Sequence, residues 1–100
     1  MEAKLKQNTK FLPKETEDFQ IVYSNAITIS ISNVDFAFDI GYFSSKNAIV
    51  QGTEVTIPID IKSRVIMSPQ HAKIFSDLLM TNIHQYESDF GEIQIEPKKK

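Results

Sequence analysis

The chain has 100 residues, enough for one domain. Hydrophobic residues make up 41% and charged ones 24%, and 11 Lys and Arg against 13 Asp and Glu leave a formal charge of −2. That balance is too close to neutral to make nucleic acid or an anionic membrane the expected partner, and the absence of cysteine removes disulfides, thiolate nucleophiles and Cys-ligated metals.

The first residues, MEAKLKQNTKFLPKE, contain no apolar run resembling a signal-peptide core. Nowhere does the chain hold the roughly 18 consecutive apolar residues of a membrane span. A cytoplasmic protein is therefore expected. Residues 1–18 are mostly polar, with Leu5, Phe11 and Leu12 as the possible anchors, and read as a flexible arm. Residues 19–96 form the expected domain, and 97–100 a basic tail.

From Ile21 the odd positions run Ile21, Tyr23, Asn25, Ile27, Ile29, Ile31, with Thr28, Ser30 and Ser32 between the last of them. A period of two with β-branched residues on one side predicts a half-buried strand. Ser32-Asn33-Val34-Asp35 reads as a turn, because these short polar side chains bond their own backbone. FAFDIGYF (Phe36–Phe43) then places Phe36, Phe38, Ile40 and Tyr42 on one face, so the two runs are expected to pair as an antiparallel hairpin.

Residues 44–54 read as a loop whose Ala48-Ile49-Val50 is too apolar to be merely solvated, and which is expected to pack on its own domain or a neighbour. The next strand is expected to run from Val55 to Met67, with Val55, Ile57, Ile59, Ile61, Val65 and Met67 on one face. Pro58 lacks an amide hydrogen and marks an edge or a bulge. Asp39 is expected to face solvent and to pair across the sheet with Lys62 or Arg64.

After Met67 the period changes from two to 3.6. Ala72, Phe75, Leu79, Ile83, Tyr86 and Phe90 form a helical stripe, which Ile74 and Leu78 widen on one flank. Gly91 is placed to end the helix in a left-handed conformation, and a short last strand over Glu92–Glu96 is possible. The predicted fold is α+β: an antiparallel three- to four-stranded β-meander followed by one long C-terminal α-helix packed on the sheet. A 13-residue strand would span about 44 Å, whereas a helix of about 20 residues covers only about 30 Å. The strand must bend or find cover elsewhere, and a homo-oligomer that shares sheet edges or the wide helix face is expected.

The junction SPQHAK (Ser68–Lys73) offers two readings. As a helix start, Ser68 caps, Pro69 occupies the first helical position, and the His71 imidazole could bond back to the cap. As a binding site, Ser68, Gln70, His71 and Lys73 would hold an anion or small ligand at the free first-turn amides. A Ser68–His71 catalytic pair would need an orienting acid and an oxyanion site, and nothing in the spacing requires Asp35 or Asp39 to stand beside it, so no catalytic residue is assigned and no enzyme is expected. The two histidines stand 13 positions apart and the carboxylates show no metal-ligand spacing, so neither a metal nor another cofactor is expected. Asp35 and Asp39 would share a strand face, and could hold a cation, only if no bulge separates them.

RVIMSPQHAKIFSDLLMTNIHQYESDFGEI (Arg64–Ile93) and YSNAITISISNVDFAFDIGYF (Tyr23–Phe43) resemble the two blocks of domain-of-unknown-function family 3467, small prokaryotic proteins. Where that family has Asp-Phe-Gly, this chain reads Asp39-Ile40-Gly41. The resemblance implies a soluble prokaryotic or phage-encoded protein and no catalytic residues. The order of elements is also similar to SecB-type export chaperones, by analogy of arrangement alone. Three functions follow as expectations. The first is a non-enzymatic interaction protein that binds itself and another protein through its sheet edge, helix face or 44–54 loop. The others are a SecB-like holdase and a ligand binder at Ser68–Lys73.

Overall fold

The computed structural model describes residues 8–95. The expected basic tail and the first seven residues of the expected arm lie outside them. Residues 8–25 form no regular element; a turn at Thr16–Phe19 is closed by the Phe19 amide on the Thr16 carbonyl at 3.1 Å.

Strand β1 (Ala26–Ile31) pairs antiparallel with β2 (Phe36–Tyr42), setting Ile29 opposite Phe38 and Ile31 opposite Phe36. The expected turn joins them. The Ser32 amide donates to the Asp35 carbonyl at 2.9 Å, and Ser32 Oγ accepts from the amides of Val34 and Asp35 at 3.1 and 3.2 Å. The strand expected from Ile21 begins later, at Ala26. Asn25 explains the boundary: its side chain takes the place of backbone, accepting from the Phe43 amide at 3.0 Å and donating to the Phe43 carbonyl at 3.1 Å.

The long strand expected over Val55–Met67 is two strands. β3 (Ile49–Gln51) and β4 (Glu54–Thr56) form a separate hairpin, and β5 (Asp60–Met67) returns to the main sheet, where the order is β1-β2-β5. The break falls at Ile57-Pro58-Ile59, where a residue without an amide hydrogen cannot continue a ladder. The expected 44–54 loop is thus a 3₁₀ turn (Ser45–Asn47) and β3 with its turn, Gly52 taking a φ of 63°. Ile49 and Val50 are exposed, so the pairing of β3 with β4, not packing on the domain, accounts for this apolar stretch.

Between β2 and β5 the register shifts at Ile40/Gly41, from Ile40 opposite Ser63 to Gly41 opposite Ile61. Lys62 is the extra residue, and a bulge of this kind transfers the following side chains to the other face. The single apolar face expected for Val55–Met67 is therefore interrupted twice, by Pro58 and by the bulge. Upstream of it, Ile29, Phe38 and Val65, and Ile31, Phe36 and Met67, align across the three strands as one apolar face.

Helix α1 (Pro69–Phe90) has 22 residues and ends at Gly91, whose amide donates to the Glu87 carbonyl at 2.9 Å. Gly91 adopts φ 103° and ψ 166°, the extended positive-φ region open essentially to glycine alone, rather than the left-handed helical region expected. Residues 91–95 form no strand, and Glu96, the end of the possible last strand, lies outside the described residues.

The helix packs on the sheet through its first turns. The Phe75 ring meets Phe38 edge-on with centroids 6.0 Å apart, and Ala72 is the buried residue of the helix. Phe38 at 8% and Ala72 at 7% exposure are the buried hydrophobic side chains among the described residues. The radius of gyration is 18.6 Å and the long axis 63 Å, where a compact chain of this size has a radius of about 13 Å.

Candidate functional site

Two features converge where β5 hands over to α1: the helix start and an apolar groove beside it. At the start, Ser68 has extended backbone (φ −68°, ψ 159°), and its Oγ accepts from the His71 amide at 3.0 Å. The Ser68 carbonyl accepts from the Ala72 amide at 2.9 Å, and Pro69 fills the first helical position. Ser68 and Pro69 therefore act as the cap and initiator that these residue types favour. It is the backbone of His71 that meets the cap. With Pro69 lacking an amide hydrogen and the amides of His71 and Ala72 bonded to Ser68, the first turn leaves the Gln70 amide for a ligand.

The four candidate ligand residues divide. Ser68, Gln70 and His71 line a concavity with Ile74, while Lys73 lines a second, apolar groove. All four are exposed. Ser68 Oγ already accepts from an amide, a poor setting for a nucleophile. Among the described residues no three His, Asp or Glu side chains gather as a metal site. Asp35 belongs to the β1–β2 turn, where its carboxylate accepts from Ser32 Oγ at 3.4 Å.

Asp39 instead pairs with Arg64, directly opposite on β5, as a two-point contact: Nη2 donates to Oδ2 at 2.9 Å and Nε to Oδ1. Of the two expected partners, Lys62 is the bulge residue and Arg64 is the one in register. The Arg64 guanidinium, through its hydrogen bond first and its charge next, holds the Asp39 carboxyl below the usual carboxylate range. Asp39 raises Arg64 in return.

The apolar groove, about 540 Å³, is walled by Ile29, Phe36 and Phe38 from the sheet and by Ala72, Phe75 and Leu79 from the helix. Beyond it, on the outer half of α1, Tyr86 and Phe90 are exposed, and their rings lie against each other with centroids 4.9 Å apart and planes tilted by 49°. Sequence reasoning assigned this stripe to the sheet. The signal that could have found the groove was present: a 22-residue helix is about 33 Å long, and three strands about 4.8 Å apart cover little of it.

These two walls come from the two sequence blocks already noted, the β1–β2 hairpin and the β5–α1 junction. The family model described as "Protein of unknown function (DUF3467)" matches residues 1–95. The chain belongs to this family. No curated protein and no solved structure matches it. Within the DUF3467 match, Asp39-Ile40-Gly41 divides its work between two contacts: Asp39 binds Arg64, and Gly41 admits the close approach of β5. No helix among the described residues is long and apolar enough to cross a membrane.

Proposed function

We propose that the chain is a non-enzymatic interaction protein of a prokaryotic cytoplasm, which assembles with itself and presents its remaining surface to another protein. The supporting observation is the large apolar surface left without cover in the single chain. Phe38 and Ala72 are buried, whereas Ile27, Ile29, Leu78, Leu79, Tyr86 and Phe90 are all exposed. Monomers rarely tolerate contiguous apolar patches beyond a few hundred Å², and self-association is the common resolution. The prokaryotic setting follows from the family resemblance. The non-enzymatic part rests on a helix start whose His71 and Ala72 amides are bonded to Ser68 and on an Asp39 carboxylate committed to Arg64.

Sedimentation velocity over a hundredfold concentration range tests the assembly. A species of at least two copies is expected at micromolar protein, and a monomer throughout the range would overturn the proposal. A tagged chain then serves as bait for the second protein, with the Phe90→Glu variant as control for binding through the apolar face.

A further inference from the structure

We infer that two copies associate through an antiparallel pair of α1 helices, each inserting Tyr86 and Phe90 into the other's apolar groove; this deepens the self-assembly reading and rests on it. The helix stripe is Ala72, Phe75, Leu79, Ile83, Tyr86, Phe90. Laid against its own reverse, it matches residue for residue: Ala72 opposite Phe90, Phe75 opposite Tyr86, Leu79 opposite Ile83. Each partner number sums to 161 or 162, so one two-fold axis near residue 81 serves all three pairs. Small meets large at the ends, as a packed helix interface requires.

The structure leaves this register open. Ala72 forms the floor of the groove, which has room of about 540 Å³, while Phe90 is 74% exposed. The helix start touches its own sheet through Phe75 on Phe38, and at the helix end Ile83 is half-buried while Tyr86 and Phe90 are exposed.

The flanking charges agree with the same axis. In an antiparallel helix pair, each flank meets the same flank of the other copy. Lys73, which lines the groove, and Glu87 lie on one flank, and the register brings Lys73 opposite Glu87 of the second copy. On the other flank His71 comes opposite Asp89 of the second copy. Both pairs sum to 160, within one or two positions of the apolar pairs. A parallel pair would instead set each flank against the opposite flank at the same height, bringing Glu87 beside Asp89 of the second copy, a like-charge contact, and leaving Lys73 without an acidic partner. The antiparallel arrangement also opposes the helix dipoles. The open stripe of one helix offers on the order of 500 Å² of apolar surface, large aromatic side chains contributing most of it. Two copies then hide on the order of 1,000 Å², the lower bound for a specific interface.

The test uses charge reversal in the full chain. Lys73→Glu and Glu87→Lys are each expected to raise the dimer dissociation constant on the order of tenfold by setting like charges together, and the double variant is expected to restore it. Because the chain has no cysteine, single-cysteine variants at 73 and 87 give a second readout. A mixture of Lys73→Cys and Glu87→Cys is expected to form a crosslinked heterodimer under mild oxidation, with neither variant alone crosslinking efficiently. Far-UV circular dichroism of each variant confirms that the helix is retained. A dimer with neither rescue nor 73–87 crosslinking overturns the helix pair while leaving self-assembly standing, as pairing through the β1 edge would. A monomeric wild-type chain overturns both.

Discussion

At Gly41 the backbones of β2 and β5 come so close that a Cβ on the glycine would stand 2.9 Å from the Asp60 carbonyl oxygen and 2.8 Å from Ile59 Cγ2. One of these neighbours is backbone and cannot swing aside. Gly41→Ala is therefore expected to destabilise the fold by about 1–3 kcal/mol through overpacking, measured as a lower urea midpoint at unchanged slope. Two positions earlier, Asp39 carries a pH dependence whose sign is defined. Its folded pKa is depressed, so its contribution is present above the ordinary carboxylate pKa and is lost as pH falls through the folded value. Asp39→Asn is expected to flatten the acid limb of the stability curve, and a double-mutant cycle of Asp39→Ala with Arg64→Ala is expected to show coupling; additive losses would show the pair to be energetically idle. Asp39 opposite a basic residue was legible in the sequence because strand alternation and the hairpin turn set its face. The choice of Arg64 over Lys62 was not, since it depends on the register of β2 against β5, which sets Asp39 opposite position 64.

The elements differ in how far local chemistry decides them. The β1–β2 turn and the start of α1 are determined by residues within four positions of one another: Ser32 with Asp35, and Ser68 with His71. Both were readable for that reason. The β3–β4 hairpin was missed because Ile49-Val50 and Val55 looked like a loop and the beginning of a longer strand. Their pairing is a contact between segments, enforced by Gly52 at positive φ and by the stop at Pro58. A two-stranded hairpin with no third strand is marginally stable. Amide hydrogens of Val50 and Val55 are accordingly expected to exchange with solvent well before those of Phe38 and Asp39 in the central strand. Protection equal to that of β2 would mean that the hairpin is docked on another surface.

For the whole molecule the governing fact is the mismatch between a 22-residue amphipathic helix and a three-stranded sheet. Among the described residues Phe38 and Ala72 are buried and most large apolar side chains are exposed, so the proposed assembly would supply burial that the single chain lacks. Folding and association should then be coupled. The thermal midpoint is expected to rise with protein concentration, as it does when the native state is stabilised by a partner, and Phe90→Glu is expected to abolish that dependence. A midpoint independent of concentration over two decades would contradict this coupling.

The sequence alone determined the α+β class, the β1–β2 hairpin, the cap at Ser68 and the apolar stripe of α1. Each rests on a periodicity or on side chains that bond their own neighbouring backbone, and these act without reference to the rest of the chain. Only the tertiary structure decided that Val55–Met67 is two strands, that Lys62 bulges, and that Ala72 and Phe75 in the first turns of the helix meet the sheet. Those outcomes depend on which segments meet and how much area they cover, and periodicity carries no such information. SPQHAK starts the helix through the Ser68 cap and Pro69, and the stripe that follows it carries the exposed apolar surface on which the proposed assembly rests.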